Sequence, residues 1–466
     1  MAVKQPGMYI RDTIVAPATA PGAGAVAIIR LSGPLALAIL RAIWKPSHHA
    51  ALKPRRVYFG HVIDPDSGAL LDRALAFFMH APASLTGEDV AELQIHGGPF
   101  LVRRIVSLVV SRGARLAEPG EFTRRGFLNG RMDLTEAEAV DDLVNARGEA
   151  GLRQALALLS GALAQKVRGL REKVVGIRAH LEAEIDFSDE DIRLPSRRQL
   201  AGEIEQIIGD VAILHDSFAR GRLARDGARA AIIGKPNVGK SSLLNLLLGT
   251  DRAIVTEIPG TTRDVIEDTI QLGPMPLTIL DTAGLREGGD EVERLGIERT
   301  RRSVAEADLL IAVFDSSRAL DCDDAAIVAL CDHRCGVAVL NKSDLPVLFS
   351  ISALHAAGLS MPTLAMSALT ADGLERLRQE LASTIDALAG PGAESEIAIS
   401  RGRHRDALAQ ALRALKAGRE SALRAMPPEI VAVDIASAAD ALGAITGEVS
   451  NEDVLDRIFS DFCIGK

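Results

Sequence analysis

Residues 230–245 read AAIIGKPNVGKSSLLN, an apolar strand that runs into Gly234, four further residues, Gly239-Lys240-Ser241 and then an apolar helix. This stretch constrains the fold more than any other, because a phosphate-cradling loop works only between a strand and a helix. The glycines let successive backbone N–H groups point inward at phosphate oxygens, and the helix N-terminus adds positive potential. Lys240 reaches the outer phosphates and Ser241 can ligate Mg2+, with Val238 and Ser242 in the same turn. Asn237 reads either as a turn-former or as a ligand for a monovalent cation beside the phosphates.

Three later motifs extend the site. An apolar run over residues 277–280 ends in Asp281-Thr282-Ala283-Gly284, where the Asp can hold Mg2+ through water and the Gly amide can sense the last phosphate. Leu285 follows, where many GTPases place the Gln that orients the attacking water, so water must be placed by another group. A run over 336–340 ends in Asn341-Lys342-Ser343-Asp344, and here the base is chosen. The Asp344 carboxylate accepts from guanine N1–H and its amino group, whereas adenine offers no such donor pair. A last run, 363–366, leads to Ser367-Ala368, whose backbone can meet the guanine oxygen. Four motifs in this order, each at a strand end, specify an inserted P-loop GTPase domain with a mostly parallel sheet.

The rest of the chain is organised differently. At 466 residues and 47% hydrophobic it exceeds what one core supports, so a multidomain chain is expected. Residues 1–124 alternate short apolar runs with Pro-Gly, Thr-Gly-Glu-Asp and Gly-Gly turns, which reads as an α+β domain. Helical patterns fill 125–227 and return over 391–466, so the GTPase, 228–390, interrupts one discontinuous all-α domain. Within the first helical part Thr135 with Glu138 reads as a capping box, and Ser196 caps a run with Leu200, Ile204, Ile207, Val211 and Leu214 at helical spacing. His96, in QIHGG, reads as a strand-end residue or a base; the Arg301-Arg302 and Arg401, Arg403, Arg405 clusters read as solvated helix faces or RNA contacts.

Four unevenly spread cysteines make no disulfide framework and point to a reducing cytoplasm. No run approaches the roughly 18 apolar residues of a spanning helix, so no membrane role is expected. A net charge of −9 and 3% aromatic content argue against a broad basic or base-stacking surface. Nucleic acid would be handled locally or through a partner. The chain closes on FCIGK, which sets Cys463 beside Lys466 as a reactive thiol or a packing residue, since Gly465 and Lys466 do not fit a prenylation box.

The stretches DTIVAPATAPG, TGEDVAELQIHGGP, PGEFTRRGFLNGRMDLTEAEAVDDL, IVTEIPGTTRD, DTAGLRE, DEVERLGIERT, NKSD and FCIGK together resemble the MnmE (TrmE) family of tRNA wobble-uridine modification GTPases along nearly the whole chain. The resemblance implies an N-terminal domain that dimerises and binds 5-formyl- or 5,10-methylene-tetrahydrofolate, with Arg30, Glu88, Arg131 and Lys466 at its contacts. Arg131 stands where the family commonly has Lys, and the two cations differ in geometry. It implies Mg2+ on Ser241 and Thr262, and K+ among Asn237, Thr256, Ile258 and Thr261, in a loop that also holds Glu257, Pro259 and Gly260. Glu293 matches the carboxylate that orients water, and Cys463 the family's tail cysteine, chemical or positional. The implied partners are a second copy, tRNA and the flavoprotein MnmG (GidA) in a heterotetramer, adding an aminomethyl-type group to carbon 5 of uridine. A GTP-dependent ribosome-assembly factor is the alternative reading.

Overall fold

The computed structural model describes residues 12–48, 52–186, 196–250, 268–280, 302–390, 397–449 and 452–466. It divides into two compact units, residues 1–141 with 440–466, and residues 142–439.

The first unit is built on a seven-stranded sheet of order β3-β4-β5-β6-β2-β1-β7. The strands are β1 (Ile14–Pro17), β2 (Gly24–Ser32), β3 (Trp44–Pro46), β4 (Tyr58–Ile63), β5 (Leu70–Met79), β6 (Val90–Gly97) and β7 (Arg115–Leu116). Period-two alternation decides its faces: Ala91, Leu93 and Ile95 of β6 enter the core, while Glu92, Gln94 and His96 take the other side. Helices α1 (Ala36–Ile43) and α2 (Pro99–Ser111) cover the apolar face, where Leu40, Ile43, Ile105 and Val109 close over Ile29, Leu31 and Leu93. Trp44, 1% exposed, fills the middle of that core, and truncating such a side chain costs about 3–5 kcal/mol.

Two further helices, α3 (Glu121–Leu128) and α4 (Leu134–Asn145), lead out of the sheet. The C-terminal helix Glu452–Ser460 packs on α3, with Leu455, Ile458, Phe459 and Phe462 in one cluster with Leu134 and Ala137. The capping box of α4 is Asp133 with Glu136, and not Thr135 with Glu138. Asp133 Oδ1 accepts from Thr135 N and Glu136 N, and Glu136 Oε2 accepts from Asp133 N. A carboxylate two residues earlier satisfies two N–H groups at once and faces the positive end of the helix.

The second unit holds the expected helices and the G-type sheet. Helices α5 (Glu149–Leu159), α6 (Ala162–Asp186), α7 (Arg197–Asp216) and α8 (Phe218–Asp226) precede the sheet. The Ser196 cap forms as expected, a capping box closed by Gln199, and the α7 stripe of Leu200, Ile204, Ile207, Val211 and Leu214 is buried. The sheet has the order β13-β12-β11-β8-β10-β9, parallel except for the β9–β10 hairpin. Its strands are β8 (Ala228–Ile233), β9 (Asp268–Leu272), β10 (Met275–Leu280), β11 (Leu309–Asp315), β12 (Gly336–Asn341) and β13 (Thr363–Ala365). Continuous apolar runs suit strands covered on both faces. Helices α9 (Lys240–Thr250), α10 (Cys322–Leu330), α11 (Ile351–Ala356) and α12 (Leu374–Ala389) connect them. Beyond the sheet come α13 (Gly402–Leu423) and α14 (Pro428–Thr446), and α13 packs against α7 from the other flank of the sheet in sequence. The fold class is therefore α+β at the N-terminus, with an α/β P-loop domain set between two stretches of a discontinuous helical domain. Arg401 is a correction to the solvated-face reading: it pairs with Asp142 Oδ1 at 2.6 Å and is largely buried.

Candidate functional site

In parallel sheets ligands bind where loops leave the carboxyl ends of neighbouring strands. Here three such loops, after β8, β12 and β13, are tied into one site by a single side chain. Asn341, 2% exposed, donates from Nδ2 to Val238 O in the phosphate loop (2.8 Å) and accepts from Ala368 N at Oδ1 (2.9 Å). Gly239 runs so close to Asn341 that a Cβ there would collide with its amide. Gly234 (φ 152°), Asn237 (φ 65°) and Gly239 (φ 98°) bend the loop through left-handed backbone. A Cβ on Gly234 would strike Val313 O of β11. The two glycines thus allow bends and close approaches of backbone that a side chain would block, as a phosphate-cradling loop needs.

Lys240 begins α9 with Nζ on two loop carbonyls, Gly234 O (2.8 Å) and Lys235 O (2.7 Å). Burial pushes its ammonium below the ordinary lysine range, and neutral carbonyls leave its charge available to an anion. Ser241 and Ser242 lie in the first turn of α9, their residues exposed.

Beyond β12 Asp344 Oδ1 accepts from Ser367 Oγ at 2.5 Å, and Ser367 Oγ in turn accepts from Leu369 N and Thr370 N. Lys342, held at φ 63°, donates from Nζ to Asp315 Oδ2 at 2.7 Å. Burial pushes the Asp315 carboxyl up, but hydrogen bonds from Lys342 and Ser317 outweigh it and hold the group below the ordinary carboxylate range. Val238, Asn341, Lys342, Asp344, Ser367 and Ala368 are therefore brought together as the sequence implies. Asn341 is spent on the scaffold. Thr256, Glu257, Ile258, Pro259, Gly260, Thr261, Thr262, Asp281, Thr282, Ala283, Gly284, Leu285 and Glu293 lie outside the described residues.

Sequence reasoning missed two residues. Asp315 closes the otherwise apolar strand LLIAVFD, a lone terminal acid that could have been flagged. Lys235 ion-pairs with Asp321 and Asp324 some 86 and 89 residues along, which no local pattern shows.

A second constellation occupies the first unit. Arg30 lies opposite Glu92 across β2 and β6, its Nε 2.7 Å from Glu92 Oε1, and its Nη1 donates to Gly465 O at 3.2 Å. Glu88 Oε2 accepts from Ser32 Oγ (2.7 Å) and from Arg125 Nη1 (3.1 Å). Arg125 is 2% exposed and also holds Asp12 and Glu121. The tail closes on this group: Phe122 N donates to Lys466 O (3.0 Å) and Gly120 N to Cys463 O (3.4 Å). The Lys466 ammonium is buried without a hydrogen-bond partner among the described residues, 3.9 Å from Asp141 Oδ1. Arg131 donates to Ser84 O (3.1 Å) at the rim of a cavity of about 430 Å³ floored by Val57, Phe77, Met79 and Leu85. His96 stands near the end of β6 with Nδ1 2.7 Å from Asp72 Oδ1.

Known proteins match both units. A family profile described as "MnmE helical domain" matches residues 134–463, and one described as "GTP-binding protein TrmE N-terminus" matches 13–131. The chain belongs to the MnmE family. A "tRNA modification GTPase MnmE" of Syntrophotalea carbinolica is 44% identical, covering 98% of this chain and 99% of that protein. Its counterpart in Natranaerobius thermophilus is 42% identical over 98% and 99%. The one in Alkaliphilus oremlandii is 40% identical over 98% and 100%. As a member of the MnmE family the chain is a GTPase. No described helix is long and apolar enough to cross a membrane.

Proposed function

We propose that this chain hydrolyses GTP as one component of tRNA wobble-uridine modification. Acting with the flavoprotein MnmG (GidA) in a heterotetramer, it would help add an aminomethyl or carboxymethylaminomethyl group to carbon 5 of uridine. The observation that carries the nucleotide half is the strand-loop-helix with the half-buried Lys240 ammonium on two loop carbonyls, tied through Asn341 to the loop after β13, where Ser367 holds Asp344.

Lys240 binds the outer phosphates, Asp344 and Ala368 read guanine, and Ser241 with Thr262 would hold Mg2+. Asn237, Thr256, Ile258 and Thr261 would hold K+, and Glu293 orients the water that attacks the terminal phosphorus, while GDP leaves through the bridging oxygen. Bound K+ supplies the positive charge that an arginine would otherwise bring to the transition state when two G domains meet in the homodimer.

In the first unit the group of Arg30, Glu88, Arg131 and Lys466 suits a tetrahydrofolate. Glu88 can accept from a pterin N–H pair, and the Lys466 ammonium, ion-paired with Asp141 but without a hydrogen-bond partner among the described residues, can donate to a carboxylated cofactor. The cofactor supplies the one-carbon unit. We take the domains as 1–124, 125–227 with 391–466, and 228–390, in a cytoplasmic protein.

The test is nucleoside mass spectrometry of tRNA from cells lacking the protein, alongside GTP turnover in K+ and in Na+. Loss of 5-aminomethyl-type uridines, restored by the gene, with turnover lower in Na+, is expected. Unchanged nucleosides with a ribosome-assembly defect would instead favour an assembly factor.

A further inference from the structure

The phosphate loop has four residues between Gly234 and Gly239, and it is anchored unevenly. Downstream, Val238 is 2% exposed in the core and its carbonyl is held by Asn341. Pro236 and Asn237 are exposed. Upstream, the side-chain anchor is Lys235. Its Nζ donates to Asp321 Oδ2 (2.8 Å) and Asp324 Oδ2 (2.6 Å), and its side chain is 16% exposed against 6% for Asp324.

Both acceptors are fixed independently of the loop. Asp321 is the N-cap of α10 and accepts from Asp323 N and Asp324 N, while Asp324 Oδ2 accepts from Asp321 N, a closed capping box. The pin therefore runs from the loop to a preformed helix start. Its other end matters to chemistry, since Lys235 O is one of the two carbonyls that hold Lys240 Nζ, at 2.7 Å. Gly234, at φ 152°, has no side chain to do this instead.

We propose that Lys235 is a positioning residue for phosphate binding: its ion pairs with Asp321 and Asp324 fix the loop carbonyl that aims the Lys240 ammonium at the nucleotide. Lys235 touches no phosphate itself. Its contribution is to remove a conformational freedom that binding would otherwise have to freeze.

The experiment measures the affinity of the full chain for a fluorescent N-methylanthraniloyl GDP, with the thermal transition of each variant as a folding control. Lys235→Met keeps the apolar stem and breaks both ion pairs. It is expected to weaken binding by about tenfold, the scale of a lost charge-assisted hydrogen bond. Lys235→Arg, which can still reach both carboxylates, is expected to stay within about threefold of the parent. Asp324→Asn should weaken binding as well, and the Lys235→Met/Asp324→Asn pair should be no weaker than Lys235→Met alone, as coupled partners require. Full affinity in Lys235→Met, or an Arg form as weak as the Met form, overturns the proposal, as does an additive double variant. Should Lys235→Met lose its cooperative transition, Asp321→Asn replaces it: the Asn still caps α10 while one of the two charges is gone. About threefold weakening is then expected, and unchanged affinity overturns the assignment.

Discussion

Replacing Asp344 with Asn tests the base-reading geometry at its most exposed point. The carboxylate offers guanine two oxygens, one of which, Oδ1, already accepts from Ser367 Oγ at 2.5 Å. In Asp344→Asn that hydroxyl keeps the amide oxygen on its own side, so the new NH2 turns to the other position and faces a base donor with a donor. Two charge-assisted hydrogen bonds are each worth about 1.5–3 kcal/mol, so the loss is about 3–6 kcal/mol. At 1.4 kcal/mol per factor of ten, GTP affinity falls by about two to four orders of magnitude. Xanthine carries a carbonyl where guanine carries its amino group, so xanthosine triphosphate recovers what GTP loses. Competition of both triphosphates against a fluorescent GDP analogue, in parent and variant, measures the ratio. Ser367→Ala is the companion change: it removes the bond that orients Asp344, at about 1 kcal/mol, and leaves the preference for guanine intact. An Asp344→Asn form that still prefers GTP refutes the reasoning, because the carboxylate would not then be reading the base.

Burial pushes the Cys331 thiol up to about 11, and the residue is 2% exposed, so a maleimide at pH 8 should label exposed Cys322 and Cys335 while Cys331 reacts only on unfolding. Fast labelling of Cys331 in the folded protein, read by peptide mass spectrometry, would contradict its packing. Arg125→Met should destabilise the first unit by about 3–5 kcal/mol, since it strips a buried cation from Asp12, Glu88 and Glu121. The same network fixes an acid limit. Burial pushes the Asp12 and Glu121 carboxyls up, but hydrogen bonds from Arg115 and Arg125 outweigh it and hold them below their ordinary 3.8 and 4.5. Folded values below unfolded ones give stability that is present above about pH 4.5 and is lost as pH falls through the folded values, to be followed by denaturant titrations at several pH values. Gly465, at φ 99° with a Cβ position on Pro17 O, cannot accept a side chain. Gly465→Ala should lift the tail and lower 5-formyl-tetrahydrofolate affinity by at least about tenfold in calorimetry, whereas Cys463→Ser keeps GTP hydrolysis.

The nucleotide site was legible because its motifs sit at strand ends whose apolar runs fix strand, loop and helix in turn. Residues 228–233 and 336–341 became strands with no buried polar position before the motif, as such runs require. The α4 cap was misread because MDLTEAEA contains two overlapping boxes, D-x-x-E and T-x-x-E, offset by two residues. Pattern alone does not rank them, but a carboxylate at the positive end of the helix does. Arg401 and Lys235 failed for a different reason. Their partners, Asp142 and Asp321 with Asp324, are set by the packing of distant segments, and an isolated cation in a sequence looks the same whether it meets water or an acid.

The difference between Asn341 and Asp344 shows why recognition of a motif does not assign its labour. Both stand in the tetrapeptide NKSD, and sequence reading gives both to the nucleotide. Asn341 is buried and both ends of its amide are occupied, by Val238 O and Ala368 N, so it holds the phosphate loop and the guanine loop at a fixed separation. Asp344 accepts from Ser367 at one oxygen, Oδ1. On the proposed reading, one residue sets the distance between base and phosphates and the other reads the base. Removing the first therefore loosens affinity for every nucleotide that spans both loops, while removing the second changes which base is preferred. On that reading the same motif would carry affinity at its first position and specificity at its last.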